Sequence, residues 1–390
     1  MLDKKRITII GAGYVGLGTA AIFSKKHQIT ILDIDKEKIE MINSSNIKNQ
    51  AINEYISYEN IQATEDFESA CKESNYIFIC LPTDFNNEKK GLDVSIIEKE
   101  IKKIVNLNTD AVLVIKSTVP IGFTESISIQ YPELDIIFTP EFLREGFELE
   151  DSLNPSRLII GSKNKKVSKN LIELIKESSA ENSFPIYETN LSESEAIKLF
   201  SNAYLATRVA FFNELDSFAI SKDLNSRDII QGLSFDTRIG NYYNNPSFGF
   251  GGYCLPKDIK ELERHLPEST NIIVSAASLS NSQRKEFITK DIIRKSNGVI
   301  GIYRLLSKDN NDNFRNSAVI EIINLLLKEQ HEIIIFEPEI VENSFLGVPV
   351  ISDFKEFKEK SSLIVCNRSR GDFEGYERKL YSRDIFKRDT

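Results

Sequence analysis

Short, nearly unbroken apolar runs alternate with longer stretches that mix apolar and charged positions. Arg6-Ile-Thr-Ile-Ile10, Gln28-Ile-Thr-Ile-Leu32, Tyr76-Ile-Phe-Ile-Cys80, Ala111-Val-Leu-Val-Ile115 and Asp135-Ile-Ile-Phe138 are such runs. Runs of this length, bounded by turn residues, predict buried strands. The small-residue stretch that follows Gly16, running to about Ser24, predicts a helix. The same theme returns late in the chain. Val299–Tyr303, Glu332–Phe336 and Ser362–Cys366 read as strands, with a helix from Arg315 to about Lys328. Between the two halves, Ser192 to about Leu224 holds good helix formers with no Gly or Pro. Ser192 and Glu195 have the spacing of a capping box.

The turn after the first strand carries chemistry. Gly11-Ala-Gly13-Tyr14-Val15-Gly16 lies between strand and helix, and Asp33 ends the next strand, 22 residues after Gly11. A lone GxGxxG is weak, but this context is that of a dinucleotide site. Gly11 allows the tight turn, Gly13 the approach of a pyrophosphate and Gly16 close packing of helix on strand. Asp33 would accept from ribose hydroxyls and repel a 2′-phosphate, which favours NAD over NADP. The fold expected is α/β, with two doubly wound Rossmann-like domains joined by a long central helix. The expected division is 1–190, a central 191–285 and 286–390. In such sheets ligands lie beyond the carboxyl ends of the strands, where Thr83, Thr118 and Glu141 fall.

A second loop stands out: Phe248-Gly-Phe-Gly251-Gly252-Tyr253-Cys254-Leu255-Pro256-Lys257-Asp258. Pro256 suits the first turn of a helix, so Cys254 is expected at a helix N-terminus, where the macrodipole favours thiolate. Asp258, four residues on, shares its face. A nucleophilic thiol with a carboxylate helper fits these residues. So does a buried cysteine beside a tight turn, and these residues alone leave both readings open. Lys198 and Asn202 are likewise four apart on the central helix, as either a functional or a solvated pair.

Composition narrows the class. The 390 residues are 41% hydrophobic and 27% charged, as in a water-soluble globular chain, and no apolar run is long enough to span a membrane. The N-terminus lacks a signal-peptide pattern. Four widely spaced cysteines (71, 80, 254 and 366) make no CxxC pair, so no disulfide framework and no metal are expected, and a reducing cytoplasm fits. A net charge of −9 argues against a nucleic-acid surface and leaves any anionic substrate to locally placed Lys and Arg. The second doubly wound unit runs from its first strand into Arg304-Leu-Leu-Ser-Lys308, a basic loop suited to a nucleotide-sugar diphosphate.

In order, GAGYVG, KSTVPIG, TPEFLREG, EAIKLFSNAYLA, NNPSFGFGGYCLPKD and NFRNSA resemble the UDP-glucose/GDP-mannose dehydrogenase family over essentially the whole chain. The resemblance implies two successive oxidations of a sugar C6 alcohol, with two NAD used per turnover. It implies UDP-glucose as substrate, with GDP-mannose or a UDP-N-acetylhexosamine as the alternative. Cys254 would form a thiohemiacetal and then a thioester. Lys198 and Asn202 would steady the oxygen at C6. Asp258, with Thr118 through a water, would assist proton movement, Glu145 would serve thioester hydrolysis, and Glu141 would line the same floor. None of the three histidines (27, 265 and 331) lies in a motif. For the cofactor the resemblance adds Tyr14, Val15, Lys38, Thr83, Thr118, Glu145, Lys257 and Arg315 to the glycines and Asp33. For the substrate it points to Glu141, Phe142, Leu143, Arg144, Glu145, Lys198, Asn202, Tyr243, Asn244, Asn245, Pro246, Ser247, Gly251 and Lys308. Arg238 resembles an arginine that reaches a neighbouring subunit, implying a homodimer. A one-step hydroxy-acid dehydrogenase would have no use for the Cys254 motif, nor would a non-catalytic NAD binder.

Overall fold

The computed structural model describes residues 4–144, 146–179, 183–252, 254–305, 317–368 and 373–387. It forms two compact units, 1–200 and 201–390.

The first unit is built on an eight-stranded sheet. Its strands are β1 (Arg6–Ile10), β2 (Gln28–Leu32), β3 (Ile61–Thr64), β4 (Tyr76–Ile79), β5 (Val112–Ile115), β6 (Ile136–Phe138), β7 (Leu158–Ser162) and β8 (Ile186–Thr189). They lie in the order β8-β7-β6-β5-β4-β1-β2-β3. β1 to β6 are mutually parallel, β7 runs antiparallel to β6, and β8 parallels β7. The 3-2-1-4-5-6 part is the dinucleotide-binding arrangement. Alternation along β4 serves two cores. Tyr76 and Phe78 pack on one face with Ile7, Ile9, Phe23 and Leu171, and Ile77 and Ile79 pack on the other with Ile97, Ile101, Ile115 and Phe138. Each fully buried side chain of this kind contributes about 1.5–3 kcal/mol, which is why the apolar runs are continuous.

Three strands of this sheet escape the apolar-run reading. β3 is four residues with an exposed Gln62, β7 is a short run ended by Gly161, and β8 is an edge strand with exposed Tyr187 and Glu188. β3 and β8 lie at the two edges of the sheet, where solvated positions interrupt the continuous pattern, whereas β7 is buried but offers only Leu158, Ile159 and Ile160 before Gly161.

The long helix is Leu191–Ser221 and runs from the first unit into the second. The capping-box expectation for Glu195 is corrected. Its carboxylate accepts from Gly122 N (2.6 Å) and Thr124 N (2.7 Å) instead, capping a different helix, Phe123–Gln130.

The second unit carries β9 (Ile300–Tyr303), β10 (Ile333–Phe336), β11 (Leu363–Val365) and β12 (Leu380–Tyr381), all parallel in the order β10-β9-β11-β12. Helices Ile272–Lys295 and Ala318–Lys328 cover one face through Ile288, Ile292, Val319, Ile322 and Leu326. The other face holds an aromatic cluster of Tyr303, Phe336, Phe354, Phe357 and Phe373. The helix expected from Arg315 begins at Ala318, because Ser317 caps it by accepting from Val319 N.

Candidate active site

The glycine loop fits a dinucleotide. A Cβ on Gly16 would stand 1.9 Å from Gly11 O, and one on Gly11, which has φ +104°, would stand 2.7 Å from Cys80 O. Neither position tolerates a side chain. Gly13 has nothing within 4 Å of its absent Cβ, so its outer side is open. Helix Tyr14–Ser24 starts there with no side-chain cap from Gly13, and a helix N-terminus suits an anion. Asp33 braces the loop, with Oδ2 accepting from Ala12 N (2.6 Å) and Oδ1 from Asp35 N (2.9 Å). Each oxygen keeps a lone pair for a ribose hydroxyl. Tyr14 is exposed, Val15 packs on the core, and Lys38 lies 3.9 Å from Asp35.

The strand ends of the first unit gather a polar floor. Thr83 Oγ1 donates to Thr118 O (2.7 Å), joining the ends of β4 and β5. Glu141, three residues past β6, meets two lysines. The buried Lys116 ammonium pairs with its carboxylate, and Lys198 Nζ donates to its backbone O (2.7 Å). Phe142 is covered by Arg157, 3.7 Å from the ring centroid, and by Lys198, 5.4 Å away. Leu143 is half-buried, and Arg144 is exposed and doubly bonded to Asp151. Lys116 was not singled out from sequence. A charge at the end of an apolar strand was its signal.

The second unit holds the thiol. Cys254 is the first residue of helix Cys254–His265, with Pro256 in its first turn, as expected. It is exposed, whereas Cys71, Cys80 and Cys366 are buried. Burial pushes the Cys71 and Cys80 thiols up to about 12, so neither supplies thiolate near neutrality. Asp258 is wholly buried on the same helix. Asn202 Nδ2 donates to its Oδ2 (2.6 Å), and the buried Lys257 ammonium lies 3.1 Å from Oδ1. A carboxylate this deep needs such partners. The Lys257 contact is out of hydrogen-bond alignment, so Oδ1 retains accepting capacity for a proton.

The loop ahead of the cysteine is irregular and mostly buried. Asn244 donates to Ser234 Oγ (2.7 Å), and Asn245 to Asp384 Oδ1 (2.7 Å). Pro246 O accepts from Arg368, and Ser247 N donates to Asn213 Oδ1 (2.8 Å). Arg284 Nε donates to Ser247 O (3.0 Å). These bonds hold the two Asn side chains on protein partners. Tyr243 is exposed with φ +47°, and Gly251 is half-buried. Asn213, Arg284, Arg368 and Asp384 carried no signal in the sequence reading. The Arg238 guanidinium points out, 88% exposed and bonded to Asp236. Glu145, Lys308 and Arg315 lie outside the described residues.

Comparison with known proteins bears on this arrangement. Residues 5–179 match the NAD binding domain of the UDP-glucose/GDP-mannose dehydrogenase family, 192–283 its central domain and 301–388 its UDP binding domain. A protein of Campylobacter jejuni subsp. jejuni named UDP-glucose 6-dehydrogenase is 43% identical, covering 98% of this chain and 99% of its own. One of the same name from Streptococcus pneumoniae is 40% identical, covering 98% and 100%. The solved structure of a UDP-glucose dehydrogenase from the archaeon Pyrobaculum islandicum superposes with a TM-score of 0.86 over 98% of this chain and 95% of that one. At 23% identity it speaks for the fold. Three domains matched in order, over a dinucleotide loop and a helix-start thiol, leave one conclusion: the chain belongs to the UDP-glucose/GDP-mannose dehydrogenase family.

Proposed function

We propose that this NAD-dependent enzyme oxidises the C6 alcohol of UDP-glucose to the carboxylate of UDP-glucuronate. The observation that carries the reading is whole-length identity of 40–43% to two relatives bearing the name UDP-glucose 6-dehydrogenase. The glycine loop and Asp33 would hold NAD, which when bound would supply the hydride acceptor for each of two oxidations. One sugar and one water are consumed, and two NADH and three protons are released at neutral pH.

The residues divide the work by chemistry. Lys198 and Asn202 donate to the C6 oxygen as it gains negative charge. Asp258, through its Oδ1, takes the proton of the C6 hydroxyl by way of a water shared with Thr118. Cys254 Sγ then bonds to the aldehyde carbon as a thiohemiacetal and holds it through the second oxidation as a thioester. Water attacks the thioester carbon with Glu145 as its base, the C–S bond breaks, and the thiolate leaves. Glu141 shapes the floor beneath. Phe142 to Arg144, Tyr243 to Ser247, Gly251 and Lys308 hold the UDP-sugar. Lys38, Thr83, Lys257 and Arg315 hold the cofactor. We assign the division 1–190, 191–285 and 286–390 to NAD binding, dimerisation with the cysteine loop, and UDP binding.

We also propose a homodimer built on the long helix. Phe200, Tyr204, Phe211 and Phe218 are each about half exposed, at spacings of four, seven and seven. That is a helix-pairing seam, on a helix long enough to meet its copy. Arg238 would enter the second subunit's sugar site. A reducing cytoplasm suits an exposed catalytic thiol.

The test is a panel of UDP-glucose, GDP-mannose and UDP-N-acetylhexosamines with NAD, followed as NADH and as acid product. Two NADH per UDP-glucose, with the others poor, is the expected result. Preference for another sugar would refute the substrate, and one NADH per sugar would refute the two-step chemistry.

A further inference from the structure

Lys116 has no part in the chemistry above, yet it is buried among the groups that do. It directly follows β5, its N–H donates to Ile79 O (3.0 Å), and its ammonium pairs with the Glu141 carboxylate. Lys198 reaches the same residue from the long helix but takes its peptide oxygen. Two buried ammonium groups thus share one glutamate, one on the carboxylate and one on the carbonyl. The partners of Lys198 among the described residues are that carbonyl and the face of Phe142, and neither carries a formal charge. A buried ammonium ordinarily draws in a carboxylate. Here the carboxylate of the residue it touches is already held. Carboxylate and carbonyl belong to one residue, so a rotamer change at Glu141 would suffice to bring its charge towards Lys198. An ion pair there would neutralise the ammonium and weaken its pull on a developing oxyanion.

We propose that Lys116 is a positioning residue. By holding the Glu141 carboxylate, it keeps Lys198 from being paired and leaves the Lys198 charge for the oxygen at C6. The inference rests on the role given to Lys198 above.

The experiment is a double-mutant cycle read on the first hydride transfer. Single-turnover NADH formation from UDP-glucose and NAD is measured with excess enzyme for Lys116→Met, Lys116→Arg, Glu141→Gln and Lys116→Met with Glu141→Gln. Lys116→Met should slow the step about 30-fold, or ~2 kcal/mol, with the Kd for UDP-glucose changed less than about threefold. Lys116→Arg should recover most of the rate. In the Glu141→Gln background, Lys116→Met should have little further effect, because the Glu141 carboxylate is no longer there to capture Lys198. Equal losses in both backgrounds would mark a merely structural lysine and overturn the proposal, as would a loss confined to Kd. If Lys116→Met does not fold, Lys116→Gln takes its place in the cycle. Lys198→Met is the separate arm. An unchanged first hydride transfer there would refute the Lys198 role itself, and the proposal with it, whatever the Lys116 variants do.

Discussion

Replacing Glu195 should destabilise the first unit more than its position on a helix surface pattern would indicate. Its side chain is buried and its two oxygens accept from Gly122 N at 2.6 Å and Thr124 N at 2.7 Å. A hydrogen bond to a charged group contributes about 1.5–3 kcal/mol. Two on one carboxylate are not independent, so Glu195→Ala should cost roughly 3–5 kcal/mol, leaving two N–H groups of a helix start unfilled. Glu195→Gln keeps the shape but points an NH2 at one N–H, for about 2–3 kcal/mol. In a unit of this size, each kcal/mol moves the midpoint by about 2–4 °C. The alanine variant should therefore lose about 6–20 °C in the transition of residues 1–200. Calorimetry is the assay, because two units need not unfold together. The interaction reaches function through spacing, since Lys198 lies three residues beyond Glu195 on the same helix. A fall in kcat should accompany the fall in stability. Both variants within about 0.5 kcal/mol of the parent would refute the argument, a range expected of surface changes.

Cys254→Ser should retain some of the first oxidation and lose the second, with a steady-state loss of about a thousandfold, or ~4 kcal/mol. Near-normal turnover with two NADH per sugar would show the thiol to be structural. Asp33→Ala should weaken NAD and narrow its advantage over NADP, and comparable kcat/KM for both cofactors in the parent would refute the Asp33 role. Tyr204→Asp with Phe211→Asp should give a monomer by light scattering, and a dimer that survives both charges would place the interface elsewhere. His27 is pushed below its ordinary 6.5 by burial and then by Lys26, Lys5 and Lys4. The unfolded chain therefore takes up a proton that the folded chain resists. Stability from this site is present above pH 6.5 and falls as pH drops below it. Denaturant titrations of His27→Gln should show a shallower acid loss, and an unchanged slope would exclude His27 as the cause.

The fold was legible where burial is two-sided. β1 and β2 match the pattern to the residue, because every position after the exposed first one is at least partly buried. The helix ends at Ser24 as expected but begins at Tyr14, inside the glycine motif. β3, β7 and β8 were not legible. Their exposed Gln62, Tyr187 and Glu188 and the closing Gly161 break the run, and only the neighbouring strand makes them strands. The start of the cysteine helix was legible for a local reason. Pro256 suits a first helical turn and Asp258 the same face, and neither inference needed a distant residue.

What holds the site was illegible for the opposite reason. Glu195 looks like the cap of its own helix and serves another one, 71 residues away. The buried loop from Asn244 to Phe250 makes no ladder, so its backbone groups must find side chains. They come from Asn213 on the long helix, Asn281 and Arg284 on the helix Ile272–Lys295, and Arg368 and Asn367 after β11. Arg284 is itself held by Asp216, which also takes Arg383. Burial opposes the Asp216 charge, but the two arginines outweigh it and keep its carboxyl below the usual range. None of these residues has a distinctive neighbour in sequence, and each has a defined partner in space. Groups that do chemistry need particular types at particular spacings, which motifs display. Groups that position them need only the right polarity at the right depth, and many sequence contexts can supply that.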